Sequence, residues 1–416
     1  MKVLGISPLD KDASASLVED GRILFASGEE RYSRKKQHSG FPKLAIQAAL
    51  EATGTSPDEI DQVAYAFLPA EKEAWHIRRA FAEEAEAASR FAVPPLGDIL
   101  ARAAAKVPDR TDPVHGLSHP NQRMEKSAAK NFFYRMAGAS PTFSKRAAKS
   151  AGDKWAAAAI ADHQKWHAEL EAGLRELGLL DKLKRYEHHL SHAANAYHAS
   201  GFERALIVTL DGYGTGLAGS VSLGEGGNMQ RLHNLRYPYS LGTFYECVTS
   251  SLGFSPDRHA GKIVGLAAYG DPDILSEALL SRIEQKDGDF ALHQNLNVYF
   301  SRHLASHFPM IDVAAAYQTV LEIVACNLVR HWVKETGCEN VVLSGGVTAN
   351  VKMNQRIFEI PGVRQIYVYP NMGDGGCGNG LALLRSMPSG EVGSLDSVYL
   401  GPEYSDAEIR SDRICR

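Results

Sequence analysis

At 416 residues the chain exceeds the size at which a single hydrophobic core keeps growing, so two packed lobes are expected. Its 44% apolar and 23% charged residues are ordinary for a globular protein, and a net charge of −4 with a pI near 6.5 creates no basic field for nucleic acid. There is no run of about 20 uncharged apolar residues to cross a membrane, and the opening run Met1–Ile6 is too short for a signal peptide. Five scattered cysteines (Cys247, Cys326, Cys338, Cys377, Cys415) lack a CxxC pair, the pattern of reduced thiols in a cytoplasmic protein.

The first forty residues read as a β-meander. Lys2–Ser7 and Ala13–Val18 are strands, Glu19-Asp20-Gly21 is a turn, and Arg22–Ser27 is the third strand. Phe41-Pro42 then opens a helix that carries Ala45, Ile46, Ala49 and Leu50 at helical spacing. Residues 71 to about 160 are rich in Ala, Glu, Lys and Arg with amphipathic periodicity, which predicts a helical insertion decorating the first lobe. Its basic members Arg123, Lys126, Lys130, Arg135, Lys145, Arg146 and Lys149 suit a solvated face or an anionic partner. A second copy of the opening plan begins at Ala205. A buried strand ends at Asp211, Gly212–Gly216 turns the chain, Ser220–Leu223 is a strand and Gly224–Gly227 a turn. Two such copies predict a duplicated α/β fold with its ligand in the cleft between lobes, 1–204 and 205–395. After residue 396, Val398–Leu400 reads as a strand and Ser405–Glu408 as a helix start, the expected opening of a further domain over 396–416.

Chemistry concentrates in Glu187-His188-His189-Leu190-Ser191-His192. His188 and His192 are four apart, so on a helix they share one face and could grip one ion; a polar helix face has the same spacing. His189 points elsewhere. Asp211 ends a buried strand, and Asp374 follows the strand Gln365–Tyr369 within a Gly-rich turn. Carboxylates at strand ends of open α/β sheets face the ligand crevice, and imidazoles with carboxylates suit iron, manganese or zinc, although each Asp could equally be a turn former or cap. Asp211–Gly216, Ser344–Val347 and Gly373–Gly378 are Gly-rich turns after strands, where backbone N–H groups can approach phosphate. Neither a P-loop nor a GxGxxG fingerprint occurs. Asn350 and Asn354 on one helix face are candidate ribose or substrate contacts, and Lys262, among small residues, is a candidate phosphate contact or a snorkelling helix lysine.

Taken with Glu29–Lys36, Leu241–Tyr245 and Gly261–Gly270, these segments resemble, in order, the O-carbamoyltransferases of the nodulation-factor and antibiotic-tailoring type. Those are similar in their main domain to the universal tRNA threonylcarbamoyladenosine synthesis enzyme. The resemblance implies an actin/hexokinase-like (ribonuclease H-like) fold of two lobes with a helical insertion in the first. It further implies a carbamoyl-adenylate, made from carbamoyl phosphate and ATP in a separate C-terminal domain, whose carbamoyl group passes to a hydroxyl of a small-molecule or sugar acceptor. Carried over, His188, His192, Asp211 and Asp374 would hold a divalent transition metal, expected to be iron(II), and Lys36 would lie near the carbamoyl group. Asp12, Gly214, Gly242, Lys262, Gly265, Gly345, Gly346 and Asn350 would contact ATP or carbamoyl-adenylate.

Two features depart from that pattern. Lys11-Asp12 stands where the family has His-Asp, and an ordinary lysine, with a pKa of about 10.4, cannot act as the general base. Lys11 is then a pKa-shifted base, an electrostatic clamp, or a sign of altered chemistry. The chain also ends where the family continues, so the expectation is either that carbamoyl-adenylate comes from a separate carbamoyl-adenylate-forming chain or that this chain is a fragment; neither nucleic acid nor membrane is an expected partner. A non-catalytic metal- and nucleotide-binding protein and an actin-like kinase or ATPase are the competing readings.

Overall fold

The computed structural model describes residues 1–87, 94–293, 295–407 and 409–410; Cys415 and Glu408 lie outside them. In lobe I, β1 (Lys2–Ile6), β2 (Ser14–Glu19) and β3 (Arg22–Gly28) form the meander, followed by α1 (Glu30–Ser33) and α2 (Lys43–Thr53). β4 (Gln62–Tyr65) pairs parallel to β1, so Val3 faces Gln62, and β5 (Leu183–Arg185) extends the sheet. Between β4 and β5 run α3 (Ala70–Ala87), α4 (Leu96–Lys106), α5 (Ala128–Ala139) and α6 (Pro141–Glu176). α7 (His188–His198) then leads into lobe II, where β6 (Arg204–Gly214), β7 (Leu217–Glu225) and β8 (Asn228–Arg236) repeat the meander. Next come α8 (Leu241–Ser251), α9 (Pro256–Ala267), α10 (Ser276–Leu280) and the hairpin β9 (Ile283–Lys286) and β10 (Asp289–Leu292). The lobe is completed by α11 (Val298–His307), α12 (Met310–Thr336), β11 (Asn340–Ser344), α13 (Val351–Phe358), β12 (Gln365–Val368) and α14 (Cys377–Ser386).

The duplication is visible in the pairing. The first sheet runs β3-β2-β1-β4-β5 and the second β12-β11-β6-β7-β8, so each is an antiparallel meander whose first strand accepts two parallel strands on its other edge. This is the two-lobed, actin-like arrangement. Each lobe has its own apolar cluster. Leu4, Ile6, Leu17, Ile46 and Val63 centre the first; the second is built around α12, whose Val320, Leu321, Val324 and Val329 pack beneath β6 and β11 residues. α12 is long and apolar enough to cross a membrane, yet 78% of its most apolar window is buried inside the protein.

The lobes interlock at α7 and α14. α7 packs on β6 and β11, α14 packs on β1 and β2, and the two helices touch each other. Close approach requires glycine here: a Cβ on Gly5 would lie 2.0 Å from the Gly378 carbonyl oxygen, and one on Gly380 2.3 Å from that of Ser191. A boundary at residue 204 therefore separates the sheets but not the packing units, because α14 covers the lobe I sheet.

Three sequence expectations change. The insertion spans both lobes rather than decorating the first: α6 sends Leu170 and Leu174 into the lobe I core, whereas Leu96, Ile99 and Ala103 of α4 belong to the lobe II core. The loop after α4 is pinned there as well. Arg110 makes a two-pronged bond, 2.7 and 3.0 Å, to the fully buried carboxylate of Asp312 on α12. Val398–Leu400 is not a strand; Val398 and Tyr399 are exposed, and only the Leu400 carbonyl accepts a bond, from Ala26 N–H of β3. One backbone bond on a sheet edge does not make a ladder. Finally, the strand from Ala205 does not stop at Asp211, a point that bears directly on the site.

A candidate metal centre in the interlobe cleft

β6 resumes its ladder at Gly214 after a register shift between Leu210 and Gly214, so Asp211, Gly212 and Tyr213 bulge from the sheet. A bulge re-aims side chains, and this one swings the Asp211 carboxylate toward α7. Two contacts fix it. Gly346 N–H donates to Asp211 Oδ1 at 3.0 Å, and the Ser240 hydroxyl, which also caps α8, donates to the Asp211 carbonyl at 2.9 Å. Gly345, at φ +96°, passes so close to Leu210 that a Cβ would sit 2.2 Å from its carbonyl oxygen. α7 begins at Glu187, whose carboxylate accepts the N–H groups of His189 and Leu190 while pairing with Arg231.

The cap sets the phase of α7, and the i,i+4 spacing brings His188 and His192 together with their Nε2 atoms 3.0 Å apart. Asp211 Oδ2 lies 3.1 and 3.3 Å from these nitrogens. Asp374, in the turn before α14, puts Oδ1 3.7 and 3.4 Å from them. Cys377 Sγ is 3.5 Å from His192 Nε2, a neighbour that the sequence spacing did not single out. Ligand atoms about 2.1 Å from a shared ion stand about 3.0 Å apart at octahedral angles and about 3.4 Å at tetrahedral ones, so the donor set fits a divalent metal ion. The opposite ring nitrogens are held from behind: His188 Nδ1 by the Ala66 carbonyl at 3.4 Å, His192 Nδ1 by the Ser344 hydroxyl at 3.2 Å. His188 also stacks on Phe67 at 4.7 Å. His189 turns away to Thr209 and burial pushes it down to about 4, so it stays neutral.

These groups hold one another charged. Burial opposes the charge on His188 and His192, but the carboxylates of Asp211 and Asp374, with Cys377 beside His192, raise both pKa values, that of His192 strongly. Burial likewise opposes ionisation of Asp211 and Asp374; the imidazoles outweigh it and hold both carboxyls below the ordinary range. Burial pushes the Cys377 thiol up.

The β1–β2 turn of lobe I lies across from this cluster. The Ser14 hydroxyl donates to the Gly375 carbonyl at 2.6 Å, joining the turn to the Asp374 loop. Lys11 is part-buried here. Burial opposes its charge, but the surrounding carboxylates of Asp374, Asp10, Asp211 and Glu246 overcome this and raise its pKa. Of the three roles open to Lys11, a base with a lowered pKa is the one its surroundings oppose. Two acids missed by the sequence reading share the cleft. Asp10 has a buried Oδ1 without a partner, and burial together with Asp374 raises its pKa well above normal. Glu246, on α8, comes within 3.8 Å of the Cβ position of Gly212; it keeps an exposed face to solvent, but the protein crowded around its carboxyl lifts it to about 7 against the pull of Lys11. A carboxylate beside a strand bulge carries no sequence signature.

The other candidates fall in several places. Gly214 is occupied with packing: a Cβ there would lie 2.1 Å from His188 Cδ2, so its role in the fold is to admit the imidazole. Gly242 lets α8 cross Gly212 closely, 2.8 Å from the Cβ position. Asn350 is turned inward; it caps α13 through Met353 N–H and exchanges both amide bonds with Gln318. Asn354 donates to the Thr348 carbonyl. Lys262 and Gly265 lie on the exposed face of α9, Lys262 with its Nζ 5.5 Å above the Phe254 ring. Lys36 is exposed on the lobe I rim, where the next residue, Gln37, reaches across to the Asp257 carbonyl of α9. Asp12 is exposed at φ +52° on the β1–β2 turn.

Residues 2–383 match the family described as carbamoyltransferase N-terminus. The chain belongs to that family. Among curated relatives it is 28% identical over 440 residues to uncharacterized protein sll1178 of Synechocystis, covering 98% of this chain and 62% of the relative. It is 26% identical to the nodulation protein NolNO of Sinorhizobium fredii, covering 97% of this chain and 51% of that protein. A third match, to NolO of Bradyrhizobium diazoefficiens, is 32% identical over 53% of this chain and 42% of the relative. The chain thus spans about half to three-fifths of the length of the relatives it matches end to end. Solved structures with partial likeness include component A of the (R)-2-hydroxyglutaryl-CoA dehydratase of Acidaminococcus fermentans, with TM-score 0.41 and 14% identity over 92% of this chain and 96% of that one. Full-length HypF in its phosphate- and nucleotide-bound form has TM-score 0.34 and 16% identity over 56% of this chain and 50% of that one.

Proposed function

We propose that the chain transfers a carbamoyl group from carbamoyl-adenylate to a hydroxyl of a small-molecule or sugar acceptor in the cleft around His188, His192, Asp211 and Asp374. The observation that carries this reading is the convergence of those four side chains, from α7, the β6 bulge and the turn before α14: the two imidazole Nε2 atoms lie 3.0 Å apart, and a carboxylate oxygen of each aspartate lies 3.1–3.7 Å from them. These residues would hold a divalent transition metal, iron(II) by family resemblance, and a metal so placed supplies Lewis-acid polarisation of a carbonyl or phosphoryl oxygen.

The protein groups divide the remaining tasks. Lys11 stays cationic among its carboxylate neighbours and serves as a fixed positive charge toward the anionic donor. Glu246, poised near neutrality, is the group suited to take the proton from the acceptor hydroxyl. Carbamoyl-adenylate itself would be formed from carbamoyl phosphate and ATP by sequence beyond this chain or by another polypeptide, in keeping with the 51–62% coverage of the full-span relatives.

The experiment supplies preformed carbamoyl-adenylate and a panel of polyols and aminoglycoside-like acceptors to the metal-loaded chain and detects O-carbamoyl product. Turnover should rise with pH about a midpoint near 7. Glu246→Gln should cost about 10²–10⁴-fold in kcat and abolish that rise, whereas Lys11→Ala should keep the rise and weaken donor binding. An intact pH rise in Glu246→Gln rejects Glu246 as the base. Phosphoryl transfer from ATP with magnesium alone, and no carbamoyl product, would favour the kinase reading.

A further inference from the structure

Away from the cleft, the inserted helices and lobe II enclose a cavity of about 800 Å³. Leu96 and Leu100 of α4 and Phe308, just beyond α11, give it apolar walls, while Arg123, Arg135, Arg282 and His303 also line it. That volume is within the range of small-molecule sites, which combine mostly apolar walls with a few convergent polar groups. None of the lining residues belongs to α7, β6 or the Asp374 turn.

Its charge is one-sided. Among the described residues, three guanidinium groups line the cavity and no carboxylate does. Arg282 is only 1% exposed; its terminal nitrogens donate to the Ala278 and Pro94 carbonyls and the Ser281 hydroxyl, and its Nε has no partner. Burial pushes Arg282 down only to about 10, so it remains cationic at neutral pH. His303, 5% exposed, has an unpartnered Nδ1. Among the described residues, none of the three arginines has an ion-pair partner within reach. A buried guanidinium facing only neutral dipoles and, 5.6 Å away, the Phe300 ring is short of counter-charge that a bound anion would supply, and two further cations at the same cavity are an arrangement suited to an anionic head group.

We propose that this cavity binds a small organic anion with an apolar body, a carboxylate or phosphate monoester whose head meets Arg123, Arg135 and Arg282 and whose body lies against Leu96, Leu100 and Phe308. The site is separate from the carbamoyl-transfer reading, and either can fail without the other.

Calorimetric titration of the full chain with decanoate, decyl phosphate, decanol and inorganic phosphate tests it, the first two arms distinguishing the head groups. One decanoate or decyl phosphate per chain should bind at least about tenfold tighter than decanol, which lacks the charge, and than inorganic phosphate, which lacks the body. Arg123→Gln with Arg135→Gln, both exposed and harmless to folding, should weaken the anion about 5–10-fold and leave decanol unchanged. Leu100→Trp, which fills the chamber, should abolish binding of both. Arg282→Met adds a stronger test where the variant folds, as judged by an unchanged circular dichroism spectrum and cooperative thermal unfolding. Equal affinity for decanol and decanoate, insensitivity to the double arginine variant, undiminished binding by Leu100→Trp, or no binding of any probe would each overturn the proposal.

Discussion

A methyl group at position 214 would sit 2.1 Å from Cδ2, 2.4 Å from Cγ and 2.8 Å from Cβ of His188. Ordinary carbon contacts are about 3.5–4.0 Å, so the imidazole would have to retreat by more than about 1 Å. It has no room to do so. Phe67 stacks on it at 4.7 Å, the Ala66 carbonyl holds its Nδ1, and its α7 backbone is buried. Metal ligand distances tolerate about 0.2 Å, so Gly214→Ala should weaken metal binding about 10–100-fold. Overpacking should also cost about 1–3 kcal/mol of stability. Cobalt(II) titration followed by its visible absorption reads the first quantity, and thermal unfolding in chelator reads the second. A Gly214→Ala protein that folds and binds cobalt(II) with wild-type affinity would refute the claim that His188 is a ligand positioned by this contact.

Gly265→Ala should behave in the opposite way: nothing lies within 4 Å of its Cβ position on α9, so calorimetric melting should show a gain of up to about 1 kcal/mol, and a loss would contradict the open helix face. Cobalt(II) binding at pH 6.5 should release protons, because the raised pKa values keep His188 and His192 protonated until a metal claims their Nε2 atoms; affinity then rises with pH, and a binding enthalpy identical in buffers of different ionisation enthalpy would deny it. Acid should destabilise the metal-free chain. His163, His189, His198, His293 and His303 are buried and pushed down to about 4, so the unfolded chain binds protons first and stability falls as pH drops from about 6.5 toward 4. The loss is roughly 2 kcal/mol per histidine at pH 5, partly offset by His188 and His192, whose raised values act in the other direction; a melting temperature unchanged between pH 7 and 5 would contradict it. Arg110→Ala strands the buried Asp312 carboxylate and should cost about 3 kcal/mol in urea unfolding, while a change below about 1 kcal/mol would mean the pair is solvent-relaxed.

Local pattern along the chain was enough for the meanders, the helical insertion and the His188/His192 pair, since alternation, Gly turns and i,i+4 spacing are properties of neighbouring residues. Asp211 and Asp374 were legible too, because a carboxylate entering a Gly turn at a strand end is a local feature. The reach of the insertion across both lobes was not, for amphipathic helices announce an apolar face without naming the core that covers it. Nor was the bulge at Asp211–Tyr213, which exists because β6 must keep pairing with β7 while offering its carboxylate to α7. Asp10 and Lys11 lie far in sequence from Glu246 and Cys377, and the charge states of all four arise from surroundings that only the assembled lobes impose. Composition and periodicity chose the elements; long-range packing chose which polar groups lost their water and had to answer to one another.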